Sequence, residues 1–385
     1  MPDRRWNIIV VEDEETIRNQ VKEFLEGEEV AGGTISVSAY ADFASAQNLL
    51  AEHKADLVVL DMFLGAPAAS HADGMRVLDQ VKASGFVPFV VYTAKPEAVV
   101  DVVSPFVRLV GKGDGGLDRL RAEIDEMFRL RIPQIHRGIA DHLDRALADY
   151  MWNFVVPHWA ELGPLADKPE FVRLLLQRLA ASLTHSGLEV LTREIFGTGT
   201  LAELAGPDRI HPAEMYIKPA VSRDPLLGDL RVRHLGEQDE HVVVLWPSCD
   251  MVSMRDGKLA TPKTTHALCA RAVNVREMPE FQAWKTSPSN NARERVQKRL
   301  GSERAYFLPA AWDIPDLLVD FHALEHIPLA QLQAMEVVAT LASPYAEALG
   351  TKFLRHLGRL GTPDLDMGIV EGRLFAPPAG PAAAI

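Results

Sequence analysis

Leu57-Val58-Val59-Leu60-Asp61 is the stretch on which the fold turns. Four large apolar residues without polar alternation suit a parallel strand buried on both faces, and the run stops on a carboxylate. Similar runs flank it. Ile8-Ile9-Val10-Val11 and Ile35-Ser36-Val37 precede it; Phe89-Val90-Val91-Tyr92 and Val107-Arg108-Leu109-Val110 follow. Helical patterns lie between them. Ile17, Val21 and Phe24 share one face; Ala44 to Leu50 forms a second helix; Leu78 and Val81 mark a third after Gly74. Residues 95–103 hold a short, weaker fourth, and Leu117, Leu120, Ile124 and Phe128 form the stripe of a fifth. Five strands alternating with helices predict a doubly wound α/β sheet over the first third of the chain.

In such sheets ligands bind at the carboxyl ends of the strands. Glu12 and Asp13 stand after the first strand, Asp61 after the third, Thr93 after the fourth and Lys112 after the fifth. Any one of these is an ordinary turn residue. Three acids, a hydroxyl and an ammonium, each at a strand end, form a pattern with a chemistry. A carboxylate that attacks a phosphoryl group meets charge repulsion. Mg²⁺ relieves it and takes oxygen ligands. Asp13 and Asp61 can supply two, with Glu12 beside them or acting through water.

The stretches IIVVEDEETIRNQV (8–21), LVVLDMFLG (57–65), DGMRVLDQVK (73–82), VVYTAK (90–95) and RLVGKG (108–113) carry a family likeness. Residues 6–130 resemble the receiver domain of bacterial response regulators. The resemblance implies a flavodoxin-like, five-stranded parallel sheet of order 2-1-3-4-5. It implies that a partner histidine kinase phosphorylates Asp61. It implies an Mg²⁺ site of Glu12, Asp13, Asp61 and the backbone carbonyl of Phe63. Lys112 and Thr93 would contact oxygens of the transferred phosphoryl group. Two places depart from the family pattern. The loop from Met62 to Asp73 is long, with Ala66-Pro67-Ala68-Ala69 inside it, and either shields the phosphoryl group, touches a partner or is a neutral insertion. Leu109 stands where Tyr or Phe is usual, and Gly113 follows the lysine where Pro is typical. The aromatic switch is therefore absent or altered, and readout is expected to be weak or by another route.

The whole chain sets limits. It has 385 residues, so more than one domain is expected. A net charge of −13 disfavours non-specific binding to nucleic acid or anionic membrane. Two cysteines, Cys249 and Cys269, provide no disulfide framework and fit a reducing compartment. The apolar run after Arg4 and Arg5 is too short for a signal peptide, and no stretch approaches the roughly 18 residues of a membrane span. A cytoplasmic protein is expected.

The expected division is a receiver domain at 1–131, a helical connector at 132–200, an α+β output domain at 201–375 and a disordered Ala/Pro-rich tail at 376–385. Pro133 breaks the last receiver helix. Ile139, Leu143, Leu147, Tyr150 and Phe154 then share one helical face. Asp167 and Glu170 have capping-box spacing around Pro169 and open a helix with Phe171, Leu175, Leu179 and Leu183 inward. These two helices would form a hairpin or a homodimerisation element. His136, His142, His158 and His185 stand here; one could carry a phosphoryl group, though surface or interhelix roles suffice.

From residue 200 short strands dominate: His241–Trp246, Thr265–Val275, Tyr306–Leu308 and Leu317–Phe321. They predict a small barrel or a strongly twisted sheet. A last helix starts at Ser343-Pro344, packs Tyr345, Leu349, Phe353 and Leu357, and stops at Gly358. The succession PSCD (247–250), YFLP (306–309), LVDF (318–321) and RLGTPDLD (359–366) weakly resembles an output domain of receiver proteins in phage-defence clusters, nearest the phosphate-buffering protein of the Detocs relay. Cys249 and Asp250 are a candidate nucleophile and acid. His241, His266 or His322 could serve as base, and Cys249, His266 and Cys269 as metal ligands. A buried structural cysteine with a turn aspartate is the plainer account. Arg293, Arg295, Lys298, Arg299 and Arg304 make residues 290–304 basic, but Glu294 and Glu303 interrupt them.

The expected function is a response regulator that accepts phosphoryl groups and signals or buffers through an effector protein, in a setting that could be anti-phage defence. No catalysis beyond phosphoryl acceptance and autodephosphorylation is expected. The alternatives are a phosphorylation-switched enzyme and a transcriptional regulator.

Overall fold

The computed structural model describes residues 4–42, 44–46, 55–62, 79, 86–183, 187–196, 210–236, 238–252, 254–255, 258–259, 261–358 and 366–374. The expected helix after Gly74, the loop interior at 63–73, His185 and the tail at 376–385 lie outside these residues, apart from Asp79. The chain forms two compact units, Met1–Asp208 and Arg209–Ile385.

The first unit is built on strands β1 (Arg5–Val11), β2 (Glu29–Val30), β3 (Gly33–Tyr40), β4 (Leu57–Leu60), β5 (Phe89–Thr93) and β6 (Val107–Gly111). Their order is β2-β3-β1-β4-β5-β6. The five expected strands are parallel throughout, with Ile8 opposite both Val37 and Leu57. The two-residue β2 was not foreseen. It joins β3 antiparallel through Ala31 (φ 48) and Gly32 (φ 72), the paired positive φ of a tight hairpin turn.

Alternate residues of each strand enter opposite layers. Ile8, Val10, Leu57, Val59, Val90 and Tyr92 face one layer, with Val21 and Leu25 of α1 (Glu15–Leu25) and Leu120, Ile124 and Phe128 of α2 (Gly116–Arg129). Ile9, Val11, Val58, Leu60 and Val91 face the other. Each fully buried aliphatic side chain contributes about 1.5–3 kcal/mol, which is why unbroken apolar runs sit in this sheet. The weak fourth helix is realised as two 3₁₀ turns, Pro96–Ala98 and Val100–Val102.

The chain breaks at Arg131 (φ 63), two residues before the expected breaker. Pro133 instead lies in the first turn of α3 (Ile132–Tyr150), where its missing N–H costs nothing. Helix α4 (Pro169–Ala181) is capped at Lys168, without a side-chain bond, so the expected capping box at Asp167 does not form. Phe171, Leu175, Leu179 and Leu183 are only half-buried. Helix α5 (Gly187–Phe196) packs on α3 at Gly138, where a Cβ would meet Ile195 at 3.1 Å. The Arg137 guanidinium of α3 pairs at 3.0 Å with buried Asp56, which also accepts the Asn7 N–H at 2.7 Å.

The second unit is a curled, fully antiparallel half-barrel. Its strands are β7 (Tyr216–Ile217), β8 (Asp229–Leu235), β9 (Gln238–Val244), β12 (His266–Asn274), β13 (Ala305–Leu308), β14 (Leu317–Pro328) and β15 (Glu336–Leu341). The order is β13-β14-β12-β9-β8-β15-β7, and a separate hairpin pairs β10 (Met254–Arg255) with β11 (Lys258–Leu259). Helices α6 (Pro279–Thr286) and α7 (Asn290–Leu300) pack on each other, and α7 also on β13. Helix α8 (Tyr345–Leu357) buries Ala346, Leu349 and Phe353, whereas Leu357, expected inward, is 56% exposed because it falls past the packed face at the last turn.

Inside this sheet Arg231 is wholly buried. It donates to Asp229 Oδ2 at 2.8 Å and to the Leu332 carbonyl at 2.7 Å, while the Thr340 hydroxyl donates to Asp229 Oδ1 at 2.7 Å. Each group of this network is thus hydrogen-bonded, the condition for keeping charge in a core.

Asp56 gives a measurable pH dependence. Burial, opposed by Arg137 and the Asn7 N–H, raises its carboxyl from 3.8 to about 6. The folded chain therefore holds this proton more tightly than the unfolded one, so the contribution of this group to stability is full below pH 4 and is lost as pH rises through 6. The loss expected from this group is about 1–3 kcal/mol. Urea unfolding of wild type and Asp56→Asn at pH 4, 5, 6 and 7 should show the stability of wild type falling relative to the variant as pH rises.

Candidate functional site

Strands β1 and β4 lie side by side, and the chain leaves β1 for β3 on one flank and returns to β4 on the other. This is the topological switch point at which open α/β sheets bind ligands. The carboxyl ends of β1, β4, β5 and β6 converge there. Ladder bonds fix their levels: Asp61 N–H to the Val11 carbonyl at 2.9 Å, and Lys112 N–H to the Thr93 carbonyl at 2.7 Å.

Glu12 and Asp61 are buried at this edge and Asp13 is exposed, and one carboxylate oxygen of each lies within 4.8 Å of the others. The Lys112 ammonium sits between two of them, 2.6 Å from Glu12 Oε2 and 2.7 Å from Asp61 Oδ2. Thr93 is fully buried, and its hydroxyl accepts the Lys95 N–H at 3.4 Å. Burial raises the Glu12 carboxyl, although Lys112 pulls it back. For Lys112, burial works against the charge, but the hydrogen bonds it donates to Asp61 and Glu12 prevail and raise it. The ammonium therefore stays charged. Three carboxylates against one ammonium leave an excess of negative charge, and hard oxygen donors at this spacing suit a small divalent cation.

The surrounding backbone is fitted to this geometry. The Arg18 guanidinium donates to the carbonyls of Glu12 (2.8 Å) and Asp13 (3.1 Å), tying the acidic turn to α1. Nothing in the sequence pointed to Arg18. Lys112 also lies 5.9 Å from the centre of the Tyr92 ring. Gly113 has φ 128, a conformation closed to proline, whose ring fixes φ near −65°. The departure from the family's lysine–proline pair thus has a backbone cause. Leu109 is half-buried against the second layer of the core. Phe63, expected to lend its carbonyl, lies outside the described residues.

The C-terminal candidates stand differently. Cys249 is exposed on a single helical turn, Ser248–Met251, with its sulfur 3.6 Å from Asp250 Oδ1. That carboxylate pairs with Lys263 at 3.5 Å, and the Asp250 carbonyl accepts the N–H groups of Lys263 and Thr264. Asp250 thus ties this helical turn to the segment at 263–264. His241 lines a polar recess with Glu240 and Arg271, His266 hydrogen-bonds Thr265 at 3.0 Å, and His322 lies 5.0 Å from His356. Cys269 is buried in β12, with its thiol pushed up to about 12 by burial. Among the described residues, Glu12, Asp13 and Asp61 are the only group of three or more His, Cys, Asp or Glu side chains able to hold a metal ion, so Cys249, His266 and Cys269 do not assemble as one. In the connector, His142 is buried and His158 Nδ1 is 2.8 Å from the Phe154 carbonyl.

Comparison with known proteins bears on the first unit. Residues 8–104 match the family model of the response regulator receiver domain. Among solved structures, the receiver domain of PhyR from Erythrobacter litoralis is 24% identical, over 32% of this chain and 90% of that one, with a TM-score of 0.25. A two-component transcriptional regulator AraC from Clostridium phytofermentans is 16% identical over 32% of this chain and 95% of that one, at 0.24. The response regulator RcsB, solved bound to DNA, is 14% identical over 51% of this chain and 100% of that one, at 0.25. No curated protein matches. A doubly wound sheet with three acids and a lysine at its switch point defines the class. The N-terminal part of the chain is a response regulator receiver domain, the input module of two-component signalling.

The two thiols should separate cleanly. A thiolate must form and be reached to react. In native protein at pH 8 a disulfide reagent should modify Cys249 within minutes and spare Cys269 until the chain is unfolded; a Cys249→Ala variant should show no fast phase.

Proposed function

We propose that this protein is a cytoplasmic response regulator whose Asp61 accepts a phosphoryl group from a sensor histidine kinase, and which passes or buffers that signal through contacts with an effector protein. The observation that supports it best is Lys112 bridging buried Glu12 and Asp61 at 2.6 and 2.7 Å. Residues 51 positions apart are brought together at the one sheet edge where this fold binds ligands.

A carboxylate oxygen of Asp61 attacks phosphorus, and the bond from phosphorus to the kinase imidazole breaks. Negative charge then spreads over three phosphoryl oxygens. Lys112 is placed to pair with one and the Thr93 hydroxyl to donate to another. Glu12, Asp13 and Asp61 would hold Mg²⁺, which when bound screens the carboxylate from the incoming phosphoryl charge. Arg18 holds the acidic turn in place. The half-barrel is the output, and the helical connector at 132–200, which lies in the same compact unit as the receiver, links the two. Leu109 in place of the family aromatic favours modest readout, which suits a buffer more than a trigger. The motif likeness at 247–366 extends this to anti-phage defence.

Incubation with acetyl phosphate and Mg²⁺ should add one phosphoryl group to the wild-type chain by intact-mass analysis. Asp61→Asn should take up none, and Asp13→Asn should need roughly tenfold or more Mg²⁺ for the same labelling. Equal labelling of Asp61→Asn would remove the assignment.

A further inference from the structure

Lys112 reaches its two carboxylates from a loop with little stiffness of its own. Residues 111–116 read Gly-Lys-Gly-Asp-Gly-Gly. Gly113 and Gly115 have φ 128 and 67, and glycine has the most backbone freedom to lose. On one side β6 anchors the loop, where the Lys112 N–H donates to the Thr93 carbonyl at 2.7 Å. On the other, the Gly116 N–H donates to the Gly113 carbonyl at 2.8 Å. The loop folds back tightly, since a Cβ on Gly116 would lie 3.1 Å from the Gly111 carbonyl oxygen. A guanidinium spans it. Arg119 Nη2 donates to the Gly111 carbonyl at 3.2 Å and Nη1 to the Asp114 carbonyl at 2.9 Å. One side chain thereby ties together the carbonyls that flank Lys112 and Gly113.

We infer that Arg119 is a positioning residue for Lys112. Its guanidinium holds the glycine loop so that the ammonium stays between Glu12 and Asp61, and it thereby sets the rate of phosphoryl uptake without touching the phosphoryl group. Two further observations support this. Arg119 is the fourth residue of α2, in the opening turn, where a positive charge opposes the helix dipole. Helix stability therefore does not account for an arginine here, whereas the loop carbonyls do. The same device also stands across the site. Arg18 is the fourth residue of α1 and donates to the carbonyls of Glu12 and Asp13. One arginine braces the loop that carries the acids, and the other braces the loop that carries the lysine. A planar guanidinium offers donors at fixed spacing to two carbonyls, which a flexible ammonium does not. Both Arg119 bonds are open to solvent, so the effect is graded rather than all-or-none. The consequence for phosphoryl uptake rests on Asp61 as the phosphoacceptor; the positioning of Lys112 does not.

Lysine footprinting of the full-length chain, with no phosphoryl donor present, tests the positioning. In wild type an amine-acylating reagent should label Lys112, whose side chain is 11% exposed, far more slowly than Lys263 at 59%. Arg119→Ala should raise Lys112 labelling by roughly threefold to tenfold and leave Lys263 unchanged. With acetyl phosphate, the same variant should take up phosphoryl groups more slowly by a similar factor, at the Mg²⁺ requirement of wild type. A general loosening of the domain would shift the Mg²⁺ requirement as well, and that result would overturn the inference. If Arg119→Ala loses the far-UV circular dichroism of wild type, Arg119→Gln takes its place with the same expected direction. Unchanged Lys112 labelling in a folded Arg119 variant would also overturn the inference, as would an unchanged rate of uptake in a variant whose Lys112 has become reactive. A wild type that takes up no phosphoryl group would overturn the Asp61 assignment and the rate effect with it, while the footprint still decides whether Arg119 holds Lys112.

Discussion

The ammonium of Lys112 between Glu12 and Asp61 is the contact on which the rest of the receiver depends. Parallel strands bring their carboxyl ends to one edge, and here that edge collects like charges. Two carboxylates buried side by side would be costly without a counter-charge, and removing one member of such a set typically costs about 3–5 kcal/mol. The lysine offsets them because β6 ends at the same level as β5. It does so through a glycine-containing turn that only a left-handed backbone can make. Arg18 closes the arrangement from α1. Sheet order, turn chemistry and ion pairing are therefore parts of one constraint.

Much of this was legible because the signals were local. Strands buried on both faces must be apolar without interruption, so Leu57–Leu60 and Ile8–Val11 announce themselves, and the residues ending them are fixed by where the runs stop. What escaped was either short or contextual. The strand Glu29–Val30 has two residues and exists because Ala31 and Gly32 turn the chain. Arg18 looks like any exposed helix arginine until its carbonyl partners are seen. Asp167 has capping spacing, but Lys168 takes the cap because the helix begins one residue later than the motif suggests.

The half-barrel was less legible, for a physical reason. Its antiparallel strands bury one face more than the other, and β8, Asp-Leu-Arg-Val-Arg-His-Leu, carries four charged or titratable residues in seven. No hydrophobicity rule would put Arg231 at zero exposure. Its placement depends on Asp229 two residues earlier, the Leu332 carbonyl and Thr340, contacts that exist only once distant strands are paired. The strands Val242–Val244 and Leu317–Val319, by contrast, are apolar by themselves and were recognised.

The buried Arg231–Asp229–Thr340 set also bears on how this half-barrel can diverge. Loss of either charged member strands the other in the core, while joint replacement by apolar residues of similar volume is near neutral. A change of the pair therefore has to be made jointly rather than one residue at a time. The pair has a recognisable form: Asp-x-Arg on one strand, with a hydroxyl residue opposite the Asp on the strand paired beside it. Distant relatives of this second unit can be sought by that spacing.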